Sequence, residues 1–195
     1  MKLAWILWLS SNVLPQPAAD SLCLSTTLYL EARDQGTEGQ QAVAEVALRR
    51  RDSGRWGDDI CSVVTANKQF APTLVSPDYM ITNSAAWAQS IDVALDAEEN
   101  WALPPGERTE IVPGASHFVA LALASPSWRN AYRVAEIGDH TFLKVEDLKP
   151  RHAVLTNLHI DLDYVQTDAM TPDPVRPAFD GLQIDITAGE IISPR

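Results

Sequence analysis

Two helical segments meeting at Gly36 constrain this chain more than any other feature. Asp20 or Ser21 can cap the first, which runs to about Arg33 and is ended by Gly36. Thr37-Glu-Gly-Gln40 is a capping-box pattern for the second, where Ala42, Val43, Val46 and Ala47 form an apolar stripe. The basic run Arg49-Arg-Arg51 suits its C-terminus, where the helix dipole favours cations. Asp58 or Asp59 can cap a short helix holding Cys61, Val63 and Val64. Residues from about Asn83 to Glu98 read as another helix, with Ala86, Ile91, Ala94 and Leu95 inward. Trp101 to Gly114 is broken by Pro and Gly and reads as a loop, before β-like pieces at His117–Leu121 and Thr141–Val145. The expectation is a mostly α (α+β) domain over residues 21–145 with a small β portion.

The two ends differ from this domain. Residues 1–20 open with Lys2 and the apolar Leu3-Ala-Trp-Ile-Leu-Trp-Leu9, then Pro15-Gln-Pro-Ala-Ala19. They read as a secretory signal peptide or as a docked N-terminal extension. The apolar run is too short to span a bilayer, and no later segment is long and apolar enough to do so. Residues 146–195 form a C-terminal extension without an assigned role. Within it His159–Val165 alternates with period two and reads as a strand. Met170–Phe179, with three prolines, reads as an extended linker, and Leu182–Thr187 as a second short strand.

The net charge of −11 argues against nucleic acid, which needs a basic face, and against an anionic membrane surface. A sugar-like substrate fits better, because sugars are held by stacking and hydrogen bonds. Cys23 and Cys61 lack zinc-ligand spacing and are too few for a disulfide scaffold; they read either as one bridge or as two small buried side chains. No metal or other cofactor is called for. A metal-dependent hydrolase would have to draw on His117, His140, His152 and His159, with Asp161 and Asp163 on the same strand face as His159. There is no His-Glu-x-x-His to support it.

Glu31 is the residue with chemical promise. Leu24, Leu28 and Glu31 recur at i, i+4 and i+7, so they share one helix face with Thr27 beside them. A carboxyl group at the end of an apolar stripe sits where burial disfavours its charged form. A carboxylic acid kept protonated near neutral pH is what glycosidic cleavage needs, because the leaving oxygen must receive a proton.

The stretches Leu22-Cys-Leu-Ser-Thr-Thr-Leu-Tyr-Leu-Glu-Ala-Arg33 and Glu38-Gly-Gln-Gln-Ala-Val-Ala-Glu-Val-Ala-Leu48 resemble the SleB-type cell wall hydrolase family. So do Cys61–Val64, Gln69-Phe70, Pro113–Phe118, Pro126-Ser-Trp128 and Ile137–Phe142, in order. The resemblance, which covers spore-cortex-lytic enzymes and phage endolysin relatives, implies a lysozyme-like fold. It makes Glu31 the catalytic acid of a lytic transglycosylase acting between N-acetylmuramic acid and N-acetylglucosamine. It also places Gln69, Phe70 and Phe118 along the glycan. His140 matches a family position and reads as a substrate-site or hydrogen-bonded structural residue, while Trp128 and Trp101 are stacking candidates by their rings, with packing as the alternative. By the same resemblance Cys23 and Cys61 pair as a disulfide, and the chain acts in the periplasm or outside the cell. If phage-encoded, it is made in the cytoplasm and released to the wall. Asp34 and Gln35 stand where the family has Gly and Glu, and Arg49-Arg50 where it has Asn-Arg. Asp34 would raise the acid's pKa further if both were buried. Glu38 and Glu45 read as surface or capping charges. A two-carboxylate muramidase and a non-catalytic peptidoglycan-binding module are the competing readings.

Overall fold

The computed structural model describes residues 1–122, Pro126, Trp128 and 130–146, and the backbone of 176–179 and 182–184. Five α-helices come first: α1 (Leu3–Asn12), α2 (Gln16–Ala32), α3 (Thr37–Ser53), α4 (Ile60–Thr65) and α5 (Ser84–Ala102). A 3-10 turn, Ala71–Thr73, lies between α4 and α5. Strands β1 (His117–Val119), β2 (Ala131–Ile137) and β3 (His140–Val145) form an antiparallel sheet in the order β1-β3-β2. The architecture is α+β and mostly helical.

Helix α2 is the centre of the core. Every residue from Cys23 to Ala32 is buried, because α1, α3, α4 and α5 all pack against it. A surface helix hides one stripe; this one is covered on every side. Thr26 and Thr27 therefore return their hydroxyl protons to the carbonyls of Leu22 and Cys23 within the helix.

The start of α2 lies at Gln16, upstream of Asp20, because Pro17 fits a helix's first turn. Asp20 instead accepts the Ile60 and Cys61 N–H groups at 2.9 and 3.2 Å, at the start of α4. Asp59 caps the same helix through the Ser62 N–H at 2.7 Å. The Cys23–Cys61 disulfide ties α2 to α4, with 5.2 Å between the Cα atoms.

The capping box at Thr37 does not form, since Thr37 already lies inside the first turn of α3 and Gly36 is its N-cap. The Gln40 side chain turns to the carbonyl of Ala32 at the end of α2, at 3.1 Å. In α5, capped by Asn83, the inward face runs through Ser90, Val93, Ala94, Ala97 and Trp101. Leu95 falls off that face and is 49 % exposed.

Helix α1 docks on a second apolar cluster through Leu3 and Ile6, against Tyr29, Leu30, Ala71, Val75 and Ile81. The N-terminal ammonium group donates to the Ile81 carbonyl at 2.9 Å, and the Leu3 N–H to the Tyr79 carbonyl at 2.9 Å. Strand β2 was not anticipated: its residues are all half-buried or exposed, so it lacks the alternation that marks a strand with one core face. Residues Arg176–Phe179 (β4), inside the stretch read as a linker, pair antiparallel with Leu182–Ile184 (β5). The strand expected at His159–Val165 lies outside the described residues.

Candidate active site

Glu31 occupies the last turn of α2 and is 1 % exposed. Its Oε1 accepts the backbone N–H of Ala71 at 2.6 Å, a charge-assisted bond when the carboxyl is ionised. Local sequence arranges this. Phe70 is extended (φ −146°, ψ 162°) with its ring in the core, and Pro72 supports the 3-10 turn that begins at Ala71. The chain thus crosses the end of α2 with one amide aimed at the carboxyl.

The other predicted residues divide by exposure. Gln69 is half-buried, and its Oε1 accepts from Arg50 Nη1 at 3.4 Å. Trp128 is half-buried with its ring 4.8 Å from His117. Phe70 and Phe118 are fully buried in the main core cluster, their rings 6.0 Å apart. They back the site from inside, with no open ring face for a sugar. His140 is also buried, edge-on to Phe118 (5.2 Å) and Phe142 (6.1 Å). Among the described residues neither of its ring nitrogens has a hydrogen-bond partner. Burial pulls its pKa down, against the opposing pull of Asp34 and Asp139, so the imidazole is neutral at pH 7.

Arg50, Trp56 and His117, which the sequence did not assign to a glycan site, join this group. Arg50 is 1 % exposed; its Nε donates to the Ser116 carbonyl at 2.8 Å, and its guanidinium lies over Trp56 (4.7 Å) and Phe70 (4.9 Å). The signal for it was its spacing: Val43, Val46 and Arg50 fall at i, i+3 and i+7, on the buried face of α3. His117 lies edge-on to Trp56 and Trp128, with Nδ1 2.9 Å from Ser116 Oγ. Burial, then Arg50 and Arg55, push its pKa down to about 3.

The remaining carboxylates do other work. Asp34 is exposed, so the condition for its raising the acid's pKa is not met. Glu38 is exposed in the first turn of α3. Glu45 is neither a surface nor a capping charge: it is 4 % exposed and accepts the N–H groups of Ile111 (2.5 Å) and Val112 (3.0 Å). Arg49 lies 3.6 Å away. Burial raises its pKa against the opposing effect of those N–H groups and Arg49. Trp101 is buried, donates to Asp52 at 2.7 Å and lies under Arg49 and Arg108, which makes it packing. Gln35 fastens the junction of α2 and α3 to the β2–β3 turn. It accepts the Asp139 N–H at 3.1 Å, and a Cβ at Gly138 (φ +57°) would collide with its amide.

Among the described residues, the one cluster with metal-ligand geometry is Asp20, Asp59 and Cys61. Cys61 is disulfide-bonded, so it offers no thiolate, and no histidine belongs to the group. His152, His159, Asp161 and Asp163 lie outside the described residues. No described helix is long and apolar enough to cross a membrane.

No curated protein and no solved structure matches the chain. The profile of the Cell Wall Hydrolase family matches residues 34–143, more than half of the chain. The match takes in Gln69, Phe70, Phe118, Trp128 and His140, while Glu31 stands just ahead of it. The chain belongs to the cell wall hydrolase family, and its substrate class is peptidoglycan.

Proposed function

We propose that the protein cuts peptidoglycan glycan strands between N-acetylmuramic acid and N-acetylglucosamine as a lytic transglycosylase, with Glu31 as its single acid and base. The observation that carries this reading is the contrast between the two buried glutamates. Glu31 accepts the Ala71 N–H from the segment that carries the half-buried Gln69, whereas both oxygens of Glu45 hold the loop at Ile111-Val112.

A hydrolysing glycosidase uses two carboxyl groups, one of which activates water or attacks the sugar. A transglycosylase manages with one. Glu31 donates its proton to the bridging oxygen as the bond from C1 of the muramic acid breaks. The C6 hydroxyl of that sugar then bonds to C1 and returns its proton to Glu31, leaving a 1,6-anhydro end. In this reading Gln69 hydrogen-bonds an N-acetyl group and Trp128 offers a ring face to a sugar. Phe70, Phe118 and His140 hold the wall of the site in shape. The Cys23–Cys61 bridge supports a place of action in the periplasm or outside the cell, where disulfides persist.

The test is mass spectrometry of the fragments released from purified peptidoglycan. Anhydro-muramyl ends are expected. Reducing muramic acid ends would replace the reading with a two-carboxylate muramidase. Absence of any fragment, with binding to the wall retained, would leave a peptidoglycan-binding module.

A further inference from the structure

Successive side chains of a strand point to opposite sides, and β1 uses this to put one ring in the core and the next outside it. Phe118 is buried, 6.0 Å from Phe70, the residue before the Ala71 amide that Glu31 accepts. His117 turns the other way and is half-buried. Its imidazole lies edge-on to two indole rings, Trp56 at 6.1 Å and Trp128 at 4.8 Å. The strand that walls the site from inside thus carries a polar ring on its outer side.

The residue before it fixes how that ring is protonated. Ser116 donates its N–H to the Leu143 carbonyl at 2.9 Å, and its own carbonyl accepts Arg50 Nε at 2.8 Å. Its Oγ accepts the Val145 N–H at 3.2 Å and stands 2.9 Å from His117 Nδ1. With Val145 donating to the oxygen, the hydroxyl's own proton goes to Nδ1. Nδ1 is then an acceptor, and the imidazole proton sits on Nε2. Burial, then the charges of Arg50 and Arg55, keep the ring neutral, with a pKa of about 3. The product is a rigid, uncharged N–H donor beside two indole rings. An acetamido group matches it, since its carbonyl oxygen accepts one hydrogen bond while its methyl lies against an aromatic ring.

We propose that His117 is a substrate-binding residue, its Nε2–H donating to the acetamido carbonyl of a sugar in the strand that is cut. The proposal rests on the glycan-cleaving reading of the same site. It adds an acetamido contact separate from that of Gln69, and makes N-acetylation of the strand a condition of tight binding.

Proton–nitrogen correlation NMR of the unliganded protein reads the tautomer directly. Nε2 is expected to carry the proton, and a proton on Nδ1 would overturn the proposal. Binding is measured by co-sedimentation with sacculi, either native or N-deacetylated. Glu31→Gln serves as the parent so that no strand is cut during the measurement. In that background His117→Phe, which keeps a ring beside the tryptophans, should bind native sacculi about three- to tenfold more weakly, the size of one neutral hydrogen bond. His117→Gln, whose amide nitrogen reaches the place of Nε2, should recover most of that loss. On N-deacetylated sacculi the parent and His117→Phe should bind alike. An equal loss on both substrates would overturn the proposal, since His117 would then only pack between its neighbours. No loss on native sacculi, or no recovery with His117→Gln, would overturn it as well. Cleavage by the wild type is scored separately, so a failure of the cleavage reading cannot be confused with a failure of the acetamido contact.

Discussion

Glu31 and Glu45 are both buried glutamates on core helices, yet their surroundings ask different things of them. Glu31 ends α2, beneath a segment that also carries the half-buried Gln69 and, through Arg50, leads to Trp56. Glu45 sits in the middle of α3, and its two oxygens take two consecutive amides of the segment between α5 and β1. That segment is held further by Arg49 to Glu110 and Ala115, and by Asn100 to Thr109. One region sets a carboxyl beneath the segment that carries Gln69; the other uses a carboxyl to position backbone. Burial of an acid is therefore not a sign of catalysis by itself. What lies around each carboxyl separates the two roles.

The comparison breaks most sharply where the supports differ. The side of α2 that carries Glu31 is tied to α4 by the disulfide between residues 38 apart in sequence. Replacing both cysteines by serine should cost about 2–4 kcal/mol of stability, read from denaturant unfolding. Hydrogen exchange should rise first in α2 and α4, with the Ile111-Val112 amides following only at global unfolding. Equal early exchange in both regions would mean that they share one support.

Ala71→Pro deletes the N–H that Ala71 donates to Glu31, and the extended backbone of Phe70 tolerates a following proline. A charge-assisted bond of about 1.5–3 kcal/mol predicts a fall in turnover of about ten- to a hundredfold, with a smaller change in KM. Unchanged turnover would show that this amide does not orient the acid.

Glu45→Gln should act on stability, by about 1–3 kcal/mol for a buried acceptor weakened against two amides, with turnover per folded molecule near that of the wild type. Its pH dependence has a definite sign. The folded-state pKa of Glu45 is raised, so the native protein binds its proton more readily than the unfolded chain does. This contribution is most favourable below the unfolded pKa and is lost as pH rises through the folded one. The stability advantage of wild type over Glu45→Gln should therefore shrink between acidic and neutral pH, and a growing advantage would refute the assignment.

The smallest effect belongs to His117. Its folded pKa of about 3 lies below its ordinary value, so its contribution to stability is present above about pH 6.5 and is lost as pH falls towards 3. Arg55→Gln removes one of the charges that depress it. The His117 titration followed by NMR should move upward in that variant; no movement would place the guanidinium too far away to matter.

Much of the helical frame was legible because its signals are local. Asp59, one of the two candidate caps of α4, caps it, the helix expected from about Asn83 starts at Ser84, and Gly36 separates α2 from α3. The errors came from tertiary context. Asp20 reads as a cap for its own helix, but α4 arrives to take it. Leu24, Leu28 and Glu31 share a face, though nothing local reveals that neighbours cover every other side of α2 as well. Arg50 looks like a dipole-matching terminus until its alignment with Val43 and Val46 is weighed. The resemblance sets Phe70 and Phe118 along the glycan as an expectation, while their full burial is settled by packing in the main core cluster. Glu45 could not be separated from a surface charge without the loop that folds over it.

The central claim is that Glu31, and not Glu45, carries the chemistry. The direct measurement is the initial rate of fragment release from peptidoglycan by Glu31→Gln and Glu45→Gln, each normalised to its folded fraction. A positioned general acid contributes about 10²–10⁴ in rate, so Glu31→Gln should fall by that much while remaining as stable as the wild type within about 1 kcal/mol. Glu45→Gln should keep most of its rate and lose stability instead. A Glu31→Gln protein that still cuts at more than about a tenth of the wild-type rate, or a folded Glu45→Gln protein that does not cut, would contradict the account.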